Sequence, residues 1–215
     1  TADSKARDVV QSQANNVVRT MYSMPPDHGA AVVAMILNDD ELRADLARIE
    51  EGRKEFRFEL VDLGGLIADL AEATQHRVGY EGFQIHTEIQ QPLPQVRADP
   101  EALKQAISNL LNNAIQYSGE SRQVNLKASA EGRSVTVTVT DFGLGIPEVE
   151  IGRVFDRFFR GSGEITRSVR GSGLGLTLVR EIAEAHGGAV DVTSEVGNGS
   201  TFRIRLPAMT ETDHG

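Results

Sequence analysis

The 215 residues include no cysteine, which excludes a disulfide framework, a thiolate metal site and a cysteine nucleophile and suits a reducing compartment. Basic runs are missing too, and the formal net charge is −9. A nucleic-acid surface, whose affinity depends on Lys and Arg neutralising phosphates, is therefore not expected. No apolar run approaches the roughly 20 residues needed to span a bilayer. The first residues, Thr1 to Arg7, are polar and charged and do not form a signal peptide. A cytoplasmic protein is expected, or the soluble part of a membrane-anchored one. The chain also lacks a Walker lysine motif, and its glycine run at 171 fails as a dinucleotide fingerprint, because the third glycine falls one residue early and no strand immediately precedes it. Asp141-Phe142-Gly143 imitates a kinase magnesium triplet, but His76-Arg77 is followed by Val78, so no matching catalytic loop stands upstream.

What is present divides in two. Val10, Ala14, Val17, Met21 and Met24, then Val32, Met35, Leu42, Leu46 and Ile49, recur at helical spacing on either side of Pro25-Pro26-Asp27-His28-Gly29. Residues 1–52 are thus expected to form a helical hairpin whose leftover apolar stripe pairs with a second copy, giving a homodimer. From residue 53 to 215 strands alternate with helices. Strands are expected over Phe56–Leu60, Gln84–Ile89, Gln123–Ala130, Ser134–Thr140, Ala189–Ser194 and Ser200–Leu206. Helices are expected over Leu63–Ala73, from Asp99 to about Tyr117, and from about Leu174 to His186. The fold class is α+β: a hairpin followed by an α/β sandwich with helices on one face of a mixed sheet.

The chemistry concentrates at four places. On the helix after Asp99, a turn of about 100° per residue puts Asn109, Asn113 and Gln116 on one face and Leu103, Ile107, Leu110 and Ala114 on another. A neutral amide oxygen suits Mg²⁺, and Asn113 is the candidate ligand; the competing reading is a solvated polar face. Asp141-Phe-Gly143-Leu-Gly145-Ile146 and Gly171-Ser172-Gly173-Leu174-Gly175 let backbone approach a ligand closely and turn N–H groups toward phosphate. Asp141 could accept from an adenine amine or simply form a turn. Phe155, Phe158 and Phe159 read equally as core, and Arg157 and Arg160 as surface.

The order Asn109-Leu-Leu-Asn112-Asn113-Ala114, Asp141-Phe-Gly143-Leu-Gly145, Phe155-Asp156-Arg157-Phe158-Phe159-Arg160 and Gly171-Ser172-Gly173-Leu174-Gly175 resembles the N, G1, F and G2 boxes of bacterial sensor histidine kinases, over roughly residues 53 to 207. These belong to the GHKL superfamily, whose ATP-binding domain is a Bergerat-type α/β sandwich with a lid over the nucleotide. The resemblance implies ATP and Mg²⁺ as cofactors. It implies that Asn109 and Asn113 line the phosphate side, with Asn113 on the metal, and that Tyr117 flanks the nucleoside. Asp141 would accept from the adenine amine, with Gly143, Gly145 and Ile146 shaping the base end and Phe155 and Phe158 bordering the pocket. Gly171, Ser172, Gly173, Leu174 and Gly175 would cradle phosphates, and Arg157 or Arg160 would reach the terminal phosphate from a lid over Gly161–Arg170. Gln116 departs from the Lys or Arg that many members carry there.

The resemblance further implies phosphoryl transfer to a histidine and then to an aspartate on a response-regulator receiver domain. In the family the acceptor histidine precedes Glu-Leu-Arg-Thr-Pro; here Asn16-Val17-Val18-Arg19-Thr20-Met21 is the nearest match, with an asparagine in that place. His28 is the other histidine of the hairpin. Two alternatives remain open: a nucleotide-binding regulatory module without its own acceptor, and a GHKL ATPase, although the position where such ATPases carry a water-activating glutamate holds Asn109.

Overall fold

A computed structural model describes residues 55–162 and 172–209, together with 43–45 and 47–48, which are helical. Contacts divide the chain into Thr1–Ala44 and Asp45–Gly215, and the sheet and helices below belong to the second unit. The expected hairpin, with Asn16 and His28, the greater part of the expected lid and Gly171 lie outside the described residues.

The chain runs β1 (Glu59–Val61), α1 (Leu63–Val78), a short 3₁₀ turn (Gly79–Glu81), β2 (Gln84–Ile89), β3 (Val96–Ala98), α2 (Pro100–Gln116), β4 (Gln123–Glu131), β5 (Ser134–Asp141), α3 (Glu148–Ile151), α4 (Gly175–Ala185), β6 (Ala189–Glu195) and β7 (Gly199–Pro207). β1 and β3 form a small antiparallel pair. The main sheet is five-stranded in the order β2-β4-β5-β7-β6. β2 runs parallel to β4, and the other neighbours are antiparallel, so the sheet is mixed as expected.

Period-two alternation decides which sheet face is covered. Val124, Leu126 and Ala128 of β4, Val135, Val137 and Val139 of β5, and Phe202, Ile204 and Leu206 of β7 are all buried. Against them lie the apolar stripes of α2 (Leu103, Ile107, Leu110, Ala114) and α4 (Leu178, Ile182), also buried. The threonines between the valines of β5 are only half-buried, which leaves the other sheet face polar. The fold is therefore the expected two-layer sandwich.

Three local differences have simple causes. The strand expected at Phe56–Leu60 is Glu59–Val61, because its pairing partner is the short β3 rather than the main sheet. α1 continues to Val78, past Ala73, because Thr74 and Val78 extend its buried face. β3 and α3 have three and four residues, too short for either period to register. Among the described residues no helix is long and apolar enough to cross a membrane.

Candidate functional site

α2 starts where the sequence puts it. Asp99 accepts from the Glu101 and Ala102 N–H groups at 3.0 and 3.1 Å, and Pro100 occupies the first turn. This fixes the rotation that aims Asn109. The asparagine face is not uniformly solvated: Asn109 is only 9% exposed, while Asn113 and Gln116 are half-buried. The Asn109 side chain touches the space above Gly175, the first residue of α4. Its Nδ2 is buried and finds no hydrogen-bond partner among the described residues. A buried N–H₂ left unpaired costs about 1–3 kcal/mol, so the group is poised for an acceptor.

Asp141 closes β5 and is 3% exposed. Burial pushes its carboxyl up to about 6, against N–H groups of Gly143 and Ser200 that favour the ionised form. The Gly143 N–H donates to Oδ1 at 3.0 Å. A β-carbon on Gly143 would overlap the Tyr117 carbonyl oxygen, and the Leu144 N–H donates to that same carbonyl at 3.0 Å. The first glycine box is thereby stitched to the C-terminus of α2. Gly145, at φ +68°, lies where a β-carbon would overlap the Glu195 carbonyl, which joins the box to the end of β6.

Tyr117 caps α2. Its phenol is pushed up by burial and drawn back by the Arg160 charge, so Arg160 lies within electrostatic reach of this corner. Arg157 and Arg160 are exposed on the segment after α3. Phe158 takes φ +58°, its N–H donates to the Gly173 carbonyl at 3.1 Å, and Gly173 itself takes φ +71°. The F box and the second glycine box are thus in contact. Phe155 packs edge-on against Phe202 at 6.3 Å, and its carbonyl accepts from Thr177 at 3.0 Å, which ties it to the sheet and to α4. Leu174 is buried and contributes no side-chain cap to α4, leaving the first N–H groups of that helix for another acceptor. Ser172 is half-buried beside it.

The structure therefore brings together Asn109 with Gly175, Tyr117 with Gly143, Asp141 with Gly143, and Phe158 with Gly173. Residues 98–210 match the family described as histidine kinase-, DNA gyrase B-, and HSP90-like ATPase. The chain belongs to this family. Within the ATPase family, its similarity runs to sensor kinases. It is 34% identical to sensor-like histidine kinase SenX3 of Mycobacterium tuberculosis over 171 residues, 79% of this chain and 41% of that protein. It is 36% identical to sensor histidine kinase ZraS of Escherichia coli over 147 residues, 68% of this chain and 30% of that protein. The crystal structure of full-length ShkA in complex with AMPPNP superposes with a TM-score of 0.69 at 32% identity, covering 86% of this chain and 37% of that one. The chain thus spans about two fifths of the SenX3 it matches. It carries a nucleotide-binding ATPase domain of the sensor histidine kinase type.

Three residues that hold Asp141 and Ile146 in place escape the sequence reading. Ser194 accepts the Ile146 N–H at 2.8 Å, donates to the Gly199 carbonyl at 2.8 Å and lies 3.0 Å from the Ser200 hydroxyl. Ser200 bonds Asp141 through its backbone. Gly199, at φ +90°, lies where a β-carbon would overlap the Asp141 carbonyl. In sequence the only signal was Gly197-Asn198-Gly199, which reads as a turn and gives no hint of a carboxylate almost sixty residues earlier.

Proposed function

We propose that the chain is the catalytic region of a sensor histidine kinase: it binds Mg-ATP, a histidine attacks the terminal phosphorus as ADP leaves, and the phosphoryl group passes to a response-regulator aspartate. Asn109 carries this reading. Its side chain lies beside Gly175 at the start of α4, and its buried Nδ2 has no partner among the described residues, so a phosphate oxygen bound there would supply an acceptor. A carboxamide also cannot take a proton from water, which disfavours simple hydrolysis.

The donor set fits the metal. A neutral amide oxygen suits a hard cation that keeps its waters, so Mg²⁺ would rest on the Asn113 amide oxygen and the substrate's own phosphates. The chemistry it would supply there is neutralisation of charge on the transferring phosphate. Asp141 binds the adenine amine, Tyr117 flanks the nucleoside, and Arg157 or Arg160 reaches the terminal phosphate. Residues 1–52 form the dimerising hairpin and 53–215 the ATP-binding domain, in a cytoplasmic setting. Asn16, in the place of the family's acceptor, favours one second reading, in which the chain phosphorylates a histidine carried by another polypeptide.

Incubation with ATP labelled on the terminal phosphate tests this. Acid-labile, alkali-stable label on the chain, or on an added histidine-bearing hairpin, is expected. Release of free phosphate with no protein label would reject the kinase and favour an ATPase.

A further inference from the structure

At the end of α2 and α4 remote from the glycine boxes lies a cluster that the nucleotide reading does not use. His186, the C-cap of α4, is buried. Its Nδ1 stands 2.7 Å from the Ile182 carbonyl, which can only accept, so Nδ1 carries the proton. Nε2 is then a lone-pair acceptor, and it receives the Asp99 N–H at 3.0 Å. Asp99 is the residue that caps α2, and its other carboxylate oxygen accepts the Arg57 N–H at 2.9 Å. Phe56 and Phe58 flank Arg57 and set their rings against the imidazole at 5.2 and 5.0 Å. One short segment therefore closes over both helix ends.

We propose that His186 is a positioning residue through which the Phe56-Arg57-Phe58 segment sets the α2–α4 pair and, with it, the affinity of the nucleotide site. α2 and α4 pack together antiparallel, with Gly175 at Asn109 and His186 at Asp99. At 1.5 Å rise per residue, Asn109 lies about 15 Å from Asp99 along α2, and Gly175 about 16 Å from His186 along α4. Packed helices are rigid elements through which two sites can be coupled, so a slide of α4 along α2 at the His186 end would carry Gly175 past Asn109. Phe56–Phe58 follows, after three intervening residues, the part of the chain expected to be the hairpin, residues 1–52. A pull on that part would reach α2 through Asp99 and His186, beside the Asp45 carboxylate that accepts from Gln105 at 2.8 Å.

The bland alternative is a local staple that only stabilises the fold. It predicts lower melting temperatures for His186→Ala and for the Phe56→Ala/Phe58→Ala pair, with unchanged nucleotide affinity in the proteins that remain folded. Coupling predicts more. Each variant weakens ATP binding by roughly fivefold or more below its melting transition, and the combined variant less than the product of the two, because they cut the same path. His186→Gln, whose amide oxygen can take the place of Nε2, binds closer to wild type than His186→Ala.

The inference rests on the nucleotide reading, and calorimetry on the full chain separates their failures. Wild type that binds no ATP fails that reading. Wild type that binds, with folded His186→Ala and Phe56→Ala/Phe58→Ala proteins matching it within twofold, overturns the coupling. Should the variants not fold, hydrogen exchange on the unaltered chain decides. Coupling is reciprocal, so saturating ATP must slow exchange at the Arg57 and Asp99 amides, and unchanged exchange there overturns it.

Discussion

Asp141 is the most constrained residue of the site, because burial and hydrogen bonding act on it in opposite senses. Its carboxyl is raised from 3.8 to about 6 in the folded chain. A raised folded value means that the folded state holds the proton longer than the unfolded one. Its stabilising contribution is whole below 3.8 and is lost as pH rises through about 6, a change of about 3 kcal/mol at 1.36 kcal/mol per unit. Asp141→Asn carries no such cost. Urea unfolding of the two proteins without nucleotide should therefore diverge between pH 4 and 6.5, with the variant gaining relative to wild type by about that amount. Because the ionised form is the better acceptor for an amine, ATP affinity should fall as pH drops below about 6 in wild type. Gly143 is constrained sterically. Gly143→Ala forces a β-carbon onto the Tyr117 carbonyl, and a denaturant midpoint lowered by about 2 kcal/mol equivalent or more is expected.

At the scale of elements, α2 shows what a sequence discloses and what it withholds. Its cap, its first-turn proline and its two faces are local, so Asp99-Pro100-Glu101 and the apolar spacing located it correctly. Asp99→Ala removes that cap and the Arg57 bond together, and a loss of about 1–2 kcal/mol in thermal unfolding is expected. Burial would raise the Asp99 carboxyl, but the N–H groups of Arg57, Ala102 and Glu101 hold it below its ordinary 3.8. A lowered folded value contributes stability above 3.8 that vanishes as pH falls through the folded value, so the Asp99→Ala deficit should shrink in strong acid. The long strands β4, β5 and β7 were equally legible, since their valines alternate. β1 and β3 were not, because a strand of three residues exists only through its pairing with another. Ser194 and Ser200 were missed for the same physical reason: each bonds to a group dozens of residues away, and nothing beside them in the chain records it.

For the whole molecule, four separate segments matter only in combination. In the proposed site α2 gives the asparagines, the β5 end gives Asp141, α4 gives an N-terminus that Leu174 does not cap with its side chain, and Phe158 stands against Gly173. A pocket divided in this way should stabilise the fold when filled. At an ATP concentration of 100 times Kd, unfolding free energy should rise by about 2.7 kcal/mol. Either glycine segment alone would have been a weak signal; their order along the chain carried the reading. The phosphate acceptor was not legible, because Asn16 stands where a histidine would make the assignment plain.

The most direct measurement is a calorimetric titration of Mg-ATP into the wild-type chain and into Asp141→Asn. Wild type should bind with a Kd between about 1 μM and 1 mM, and the variant roughly tenfold to hundredfold more weakly. Equal affinity in the two proteins, or no binding to wild type, would contradict a nucleotide site built around Asp141.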